Sequence, residues 1–107
     1  MRNDLTIPEA ILQVGRHWRQ LNGNKPVHRT YIIAEVLKLG EQSGKIWKPS
    51  SVMPSDFCYN LENQGSDPAE AEPRMFMKCN PEISDGLYEF VDLNYHYTGV
   101  VHANPKH

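Results

Sequence analysis

Two kinds of spacing between apolar residues follow one another along this chain, and their order restricts the fold more than any other feature. Ile7, Ile11, Val14, Trp18 and Leu21 recur at three- and four-residue steps, the stripe of an amphipathic helix. Ile32, Ile33, Val36, Leu37 and Leu39 give a second helix a wide buried face, from about Arg29 or Thr30 to Gln42. A third helix of about eight residues is expected from Ser55, with Phe57, Cys58 and Leu61 on one side. The period then changes to two. Met75-Phe76-Met77-Lys78-Cys79 reads as a strand, Asn80 to Gly86 turns, and Leu87-Tyr88-Glu89-Phe90-Val91 returns.

Local signals agree with this order. Thr6 and Glu9 have the spacing of a capping box, and Pro8 suits a first helical turn. Gly23 supplies a stop. Asn24-Lys25-Pro26 is a turn, and Val27 begins a strand of one or two residues. Gly40 to Gly44 ends the second helix. Ser55 is the expected cap of the third, with Asp56 in its first turn, where the helix dipole favours an acid. Residues 64–73 form an acidic, proline-containing loop expected to be mobile. The aromatic tail Asn94-Tyr95-His96-Tyr97-Thr98-Gly99-Val100-Val101 is expected to pack on the body.

The fold class expected from this pattern is α+β, a winged helix-turn-helix: three helices, a β-hairpin wing and an extended C-terminal tail. It is expected as a single domain over residues 1–107, with its body at about 5–99 and a tail at 102–107. Its core should contain Ile7, Ile11, Val14, Trp18, Ile33, Val36, Leu37, Phe57, Leu61, Phe76, Leu87, Tyr88 and Phe90.

Several functional classes find no support. No apolar run approaches the roughly 18 residues of a spanning helix, and the first helix carries charges that a signal peptide lacks. A cytoplasmic location without membrane association is the expectation. Cys58 and Cys79 read as buried small hydrophobes rather than a disulfide. His17, His28, His96, His102 and His107 form no metal-ligand spacing, so no metal or cofactor is expected. No nucleophile elbow, P-loop or H-E-x-x-H occurs. Asp85 and Glu89 flank the wing turn without a clustered lysine, so no nuclease site is expected and the reading is non-enzymatic.

Three stretches carry a resemblance. Pro54-Ser55-Asp56-Phe57-Cys58-Tyr59-Asn60, then Gly86-Leu87-Tyr88-Glu89-Phe90, then Tyr95-His96-Tyr97-Thr98-Gly99 are similar to a small prokaryotic winged-helix module. That module is found alone or beside restriction-type nucleases in bacteria and phages. The likeness spans roughly residues 5 to 99 and implies a winged-helix fold in a nucleic-acid context, not an activity. The acidic insert Asp67 to Glu72 departs from it.

Charge is divided unevenly. Residues 1–53 carry eight Lys/Arg against four Asp/Glu, and residues 54–107 carry three against nine. Such asymmetry is read either as a surface that faces a polyanion or, equally, as the chance imbalance common in small domains. In a DNA-binding reading, Tyr59, Asn60, Asn63 and Gln64 on the third helix would meet bases or phosphate. Lys45, Lys48, Arg74 and Lys78 would contact phosphates, with Arg29 and Lys25 further out and Ser50 and Ser51 as hydroxyl donors. Against this, the pI is about 6.2 and Asp56 and Glu62 flank the presumed reading face. Modest intrinsic affinity for duplex DNA follows, to be raised by a homodimer or a partner. The alternative is a protein-interaction or inhibitory module whose acidic second half docks on a basic partner. Each residue also has a plainer reading: Asp56 as a first-turn acid, Asn60 as a cap, Tyr59 as a gap filler, and Trp47 as half-buried packing rather than a contact surface.

Overall fold

The spacing of Thr6 to Glu9 fixes the start of the first helix. The Thr6 hydroxyl accepts the Glu9 amide at 3.3 Å, and α1 runs Ile7–Asn22. In the computed structural model, residues 4–61 and 73–102 are described. The expected loop at 64–73 falls outside them apart from Pro73, as does the tail beyond His102. One face of α1 buries Ala10, Ile11, Val14 and Gly15. Trp18 is only half-buried, and its indole N–H donates to the Lys25 carbonyl at 3.0 Å. Leu21, one turn further on, stays 66% exposed and leaves the expected stripe.

The two-residue strand β1 (Val27–His28) leads directly into α2 (Arg29–Gln42). A His28 ring nitrogen caps the helix by accepting the Thr30 amide at 3.2 Å. Ile32, Val36 and Gly40, at four-residue steps, face the core, while Ile33, Leu37 and Leu39 pack at its edge. The buried face of α2 is thus narrower than its apolar content suggested.

The hairpin forms where the period-two stretches lie. Strands β2 (Phe76–Lys78) and β3 (Leu87–Phe90) are antiparallel, and β1 joins the other edge of β3, giving the order β1-β3-β2. Phe76 stands opposite Phe90 and Lys78 opposite Tyr88, so these four share the inward face, while Met77 and Glu89 share the outer one. Phe76 makes edge contacts with the rings of Tyr88 and Phe90. Gly15 lets α1 close onto this layer: a Cβ there would sit 2.2 Å from the Phe90 ring. Leu5, Val27, Val52, Cys58 and Met75 complete the core.

The expected third helix is replaced. Pro49–Ser51 and Pro54–Phe57 each make a short 3-10 helix, and no further α-helix occurs among the described residues. After Phe57 the backbone extends and bonds to β2 instead. Met75 N–H donates to the Phe57 carbonyl and Tyr59 N–H to the Phe76 carbonyl, each at 2.8 Å. A helix of two turns is marginal on its own, so these ladder bonds outweigh the local capping signal. The tail adds to this layer at Leu61, which bridges His102. The fold is α+β. Both cysteines are free. Cys58 is buried as expected, but Cys79 is exposed at the start of the hairpin turn. Among the described residues no helix is long and apolar enough to cross a membrane.

Candidate nucleic-acid interface

The connection from α2 to β2 changes character at Pro54. Its first half is an arch pinned from beneath. Gly44, at φ +78°, turns the chain off the helix, and the Lys45 amide donates to the Gly40 carbonyl at 2.7 Å. The Trp47 ring lies flush on Gly40, where a Cβ would come within 2.6 Å of it. This contact settles Trp47 as packing. Val52, 2% exposed, pins the far side.

Between these pins the arch faces solvent. Lys48, Ser50 and Ser51 are exposed, Lys45 is half-buried, and Ile46 is 97% exposed. No acidic residue occurs between Gln42 and Asp56. Neither lysine makes an ion pair with another described residue. Two ammonium groups and two hydroxyls on an acid-free stretch are donors suited to phosphate oxygens. The other exposed cations are placed differently. Arg16 grips the Asp92 carboxylate, with Nε at 3.1 Å and Nη2 at 3.0 Å, and Lys38 pairs with Glu35 at 2.8 Å. Lys25 is exposed in the turn before β1, and Arg29 is exposed where β1 meets α2, beside Gly86 at the end of the hairpin turn.

From Pro54 to Leu61 the connection turns inward and takes with it Tyr59 and Asn60, two of the residues expected to read DNA. Asn60 is 4% exposed. Its amide donates to the Lys78 carbonyl at 3.0 Å and accepts the Lys78 N–H at 2.8 Å, so its side chain extends the ladder beside β2. Tyr59 donates its hydroxyl to the Asp92 carbonyl and accepts the Tyr95 amide, fastening the tail. Arg74 directs its guanidinium to the carbonyls of Cys58 and Leu61. The Lys78 side chain is 2% exposed; its ammonium meets the Asp85 carboxylate and lies 5.5 Å from the Tyr88 ring centroid. The roles read for these four in contacting nucleic acid are corrected, because their polar atoms are engaged within the fold. Asn63 and Gln64 lie outside the described residues. Lys45, Lys48, Ser50 and Ser51 are the sequence candidates that the structure brings together.

Electrostatics distinguish the two halves. The hydrogen bond from Lys78 holds the Asp85 carboxyl below its usual range, and Arg16 does the same for Asp92. Burial pushes the Cys58 thiol up, which leaves it an unreactive core group. Burial likewise raises the Tyr88 phenol. The hairpin turn, Asn80 to Gly86, holds Glu82 and Asp85 and no cation. A lysine does approach Asp85, against expectation. It is shut inside, however, and Glu89 lies on the opposite face of the sheet. Strand alternation already carried the signal for Lys78, two residues from Phe76 and hence on the inward face. Ile46 carried no such signal, since only the packing of its neighbours makes it protrude.

No curated protein and no solved structure is significantly similar to the chain. Residues 25–107, from the turn before β1 onward, match a family described as a domain of unknown function, DUF7225. The match takes in β1, α2, the arch, the hairpin and the tail, and the chain belongs to that family.

Proposed function

We propose that this protein is a non-enzymatic module of winged-helix type that binds duplex DNA through the arch. The observation that carries the reading is the arch itself: Lys45, Lys48, Ser50 and Ser51 on one pinned, acid-free stretch between α2 and β2. The sheet order β1-β3-β2, with α1 before it and α2 between β1 and β2, supports the winged-helix assignment. A winged helix carries its reading helix where the arch stands here. With 3-10 turns in that place, the contacts available are to phosphate and not to base edges, so affinity is modest and little dependent on sequence.

Fluorescence anisotropy with generic duplexes at low salt tests this. The protein binds, and binding weakens as salt is added. Lys45→Glu with Lys48→Glu lowers affinity about 10- to 100-fold for every sequence and reduces the salt slope by about 2. Absence of binding at low salt removes the reading. A docking role on a basic protein then takes its place, favoured by the wing turn, where Ile83 is 49% exposed beside Glu82.

A further inference from the structure

Ile46 is the most exposed large apolar side chain among the described residues, at 97%. A loop that merely tolerated an apolar residue would let it fold down. Here the backbone on one side is held by the bond from the Lys45 amide to the Gly40 carbonyl, at 2.7 Å. On the other side the Trp47 ring is seated on Gly40. Both neighbours are tethered to the same turn of α2, and Ile46 is the residue left standing between them. Lys45 and Lys48 flank it without acidic neighbours in the arch.

A bare aliphatic side chain framed by cations has a known physical use on duplex DNA. Apolar wedges enter between base steps, unstack them in part and kink the duplex, while the flanking cations hold the phosphates on either side. The tethered backbone matters, because a wedge whose main chain is already held in the free protein loses less freedom on insertion. An anionic membrane would also attract lysines, but one aliphatic side chain falls well short of even a single myristoyl chain, which itself anchors only marginally.

We infer that Ile46 is a wedge that kinks the duplex bound by the arch, so that the protein bends DNA as well as binding it. This rests on the proposed DNA-binding reading and goes beyond it. The test uses the full chain and a duplex of about 30 base pairs labelled at both ends, read by energy transfer and by anisotropy in the same samples. The wild type raises energy transfer on binding, by a bend of about 20–90°. Ile46→Ala keeps affinity within about tenfold, as expected for phosphate-dominated binding, and loses the rise in transfer. Ile46→Met, which keeps an apolar wedge, restores it.

Two results overturn the inference alone: binding by the wild type without a change in transfer, or an unchanged rise with Ile46→Ala. If the wild type fails to bind the duplex at all, both the inference and the DNA-binding reading fall. Binding instead to vesicles of phosphatidylserine and phosphatidylcholine, abolished by Ile46→Ala, would overturn both in favour of a lipid surface.

Discussion

The two halves of the α2–β2 connection are neighbours in sequence and opposites in structure. In residues 44–53 the polar and charged side chains point to water, and Trp47 and Val52 anchor the backbone beneath them. In residues 54–61 the polar side chain of Asn60 is buried, as are Phe57, Cys58 and Leu61. The difference lies in what satisfies the backbone. The arch closes its own short turns, with Ser51 N–H on the Lys48 carbonyl at 2.9 Å and Val52 N–H on the Pro49 carbonyl at 3.1 Å. Its side chains are therefore free for other contacts. From Phe57 to Leu61 the backbone takes partners beside β2 and in the tail instead, and the Asn60 side chain is drawn into the same ladder. Residue types alike on paper, a lysine or an amide, are assigned to surface or interior by that choice.

Replacing Asn60 with alanine should break the inner half most severely. The amide serves both the N–H and the carbonyl of Lys78 in a site that water does not reach. Its loss leaves two buried backbone groups unpaired, a cost of about 3 kcal/mol. For a domain of this size the melting temperature falls on the order of 10–20 °C. Calorimetry or urea denaturation measures it. A loss below about 0.5 kcal/mol would show that Asn60 is not a structural clasp and would reopen its assignment to a binding face.

Asp85→Asn should come next, because it leaves the enclosed Lys78 ammonium without its counter-charge. Breaking a buried ion pair costs about 3–5 kcal/mol, and with the Asp85 side chain 24% exposed we expect about 2 kcal/mol. The pH dependence has a definite sign. The folded carboxyl titrates below its unfolded range, so the pair stabilises the protein fully above about pH 4 and the gain fades as pH falls through the lower, folded value. Stability measured from pH 7 to pH 2 should fall less steeply in Asp85→Asn than in the wild type. Parallel curves would show that the pair contributes nothing to acid sensitivity.

Much of the architecture was legible because it depends on periodicity. The span of α1, the cap at Thr6, the short strand at Val27 and the alternation of both hairpin strands lie where the sequence places them, although Leu21 leaves the α1 stripe and Trp18 is only half-buried. The third helix was not legible. Ser55-Asp56 is a good cap, and Phe57, Cys58 and Leu61 fit a helical face, but the competing partner, the edge of β2, begins at Phe76. A contact over that separation leaves no local trace. The candidate site divides in the same way. Lys45, Lys48, Ser50 and Ser51 follow from polarity and from the absence of acids. The inward turn of Asn60 and Arg74 follows from tertiary bonds that spacing does not reveal, and only Lys78 was readable from strand alternation.

The arch is where stability and binding should part. Surface lysines that pair with no described acid lose little when truncated, since surface changes of this kind stay within about 0.5 kcal/mol. Lys45 is half-buried, so its aliphatic stem covers some apolar surface, and Lys45→Ala should cost slightly more than Lys48→Ala. The double alanine variant should therefore melt within a few degrees of the wild type while binding duplex DNA about tenfold more weakly at low salt. The two curves narrowing toward each other as salt is raised would identify the lost term as phosphate neutralisation. A large drop in melting temperature with unchanged binding would invert the comparison. The arch would then be a packed element like residues 54–61, and its two lysines would belong to the fold and not to a ligand.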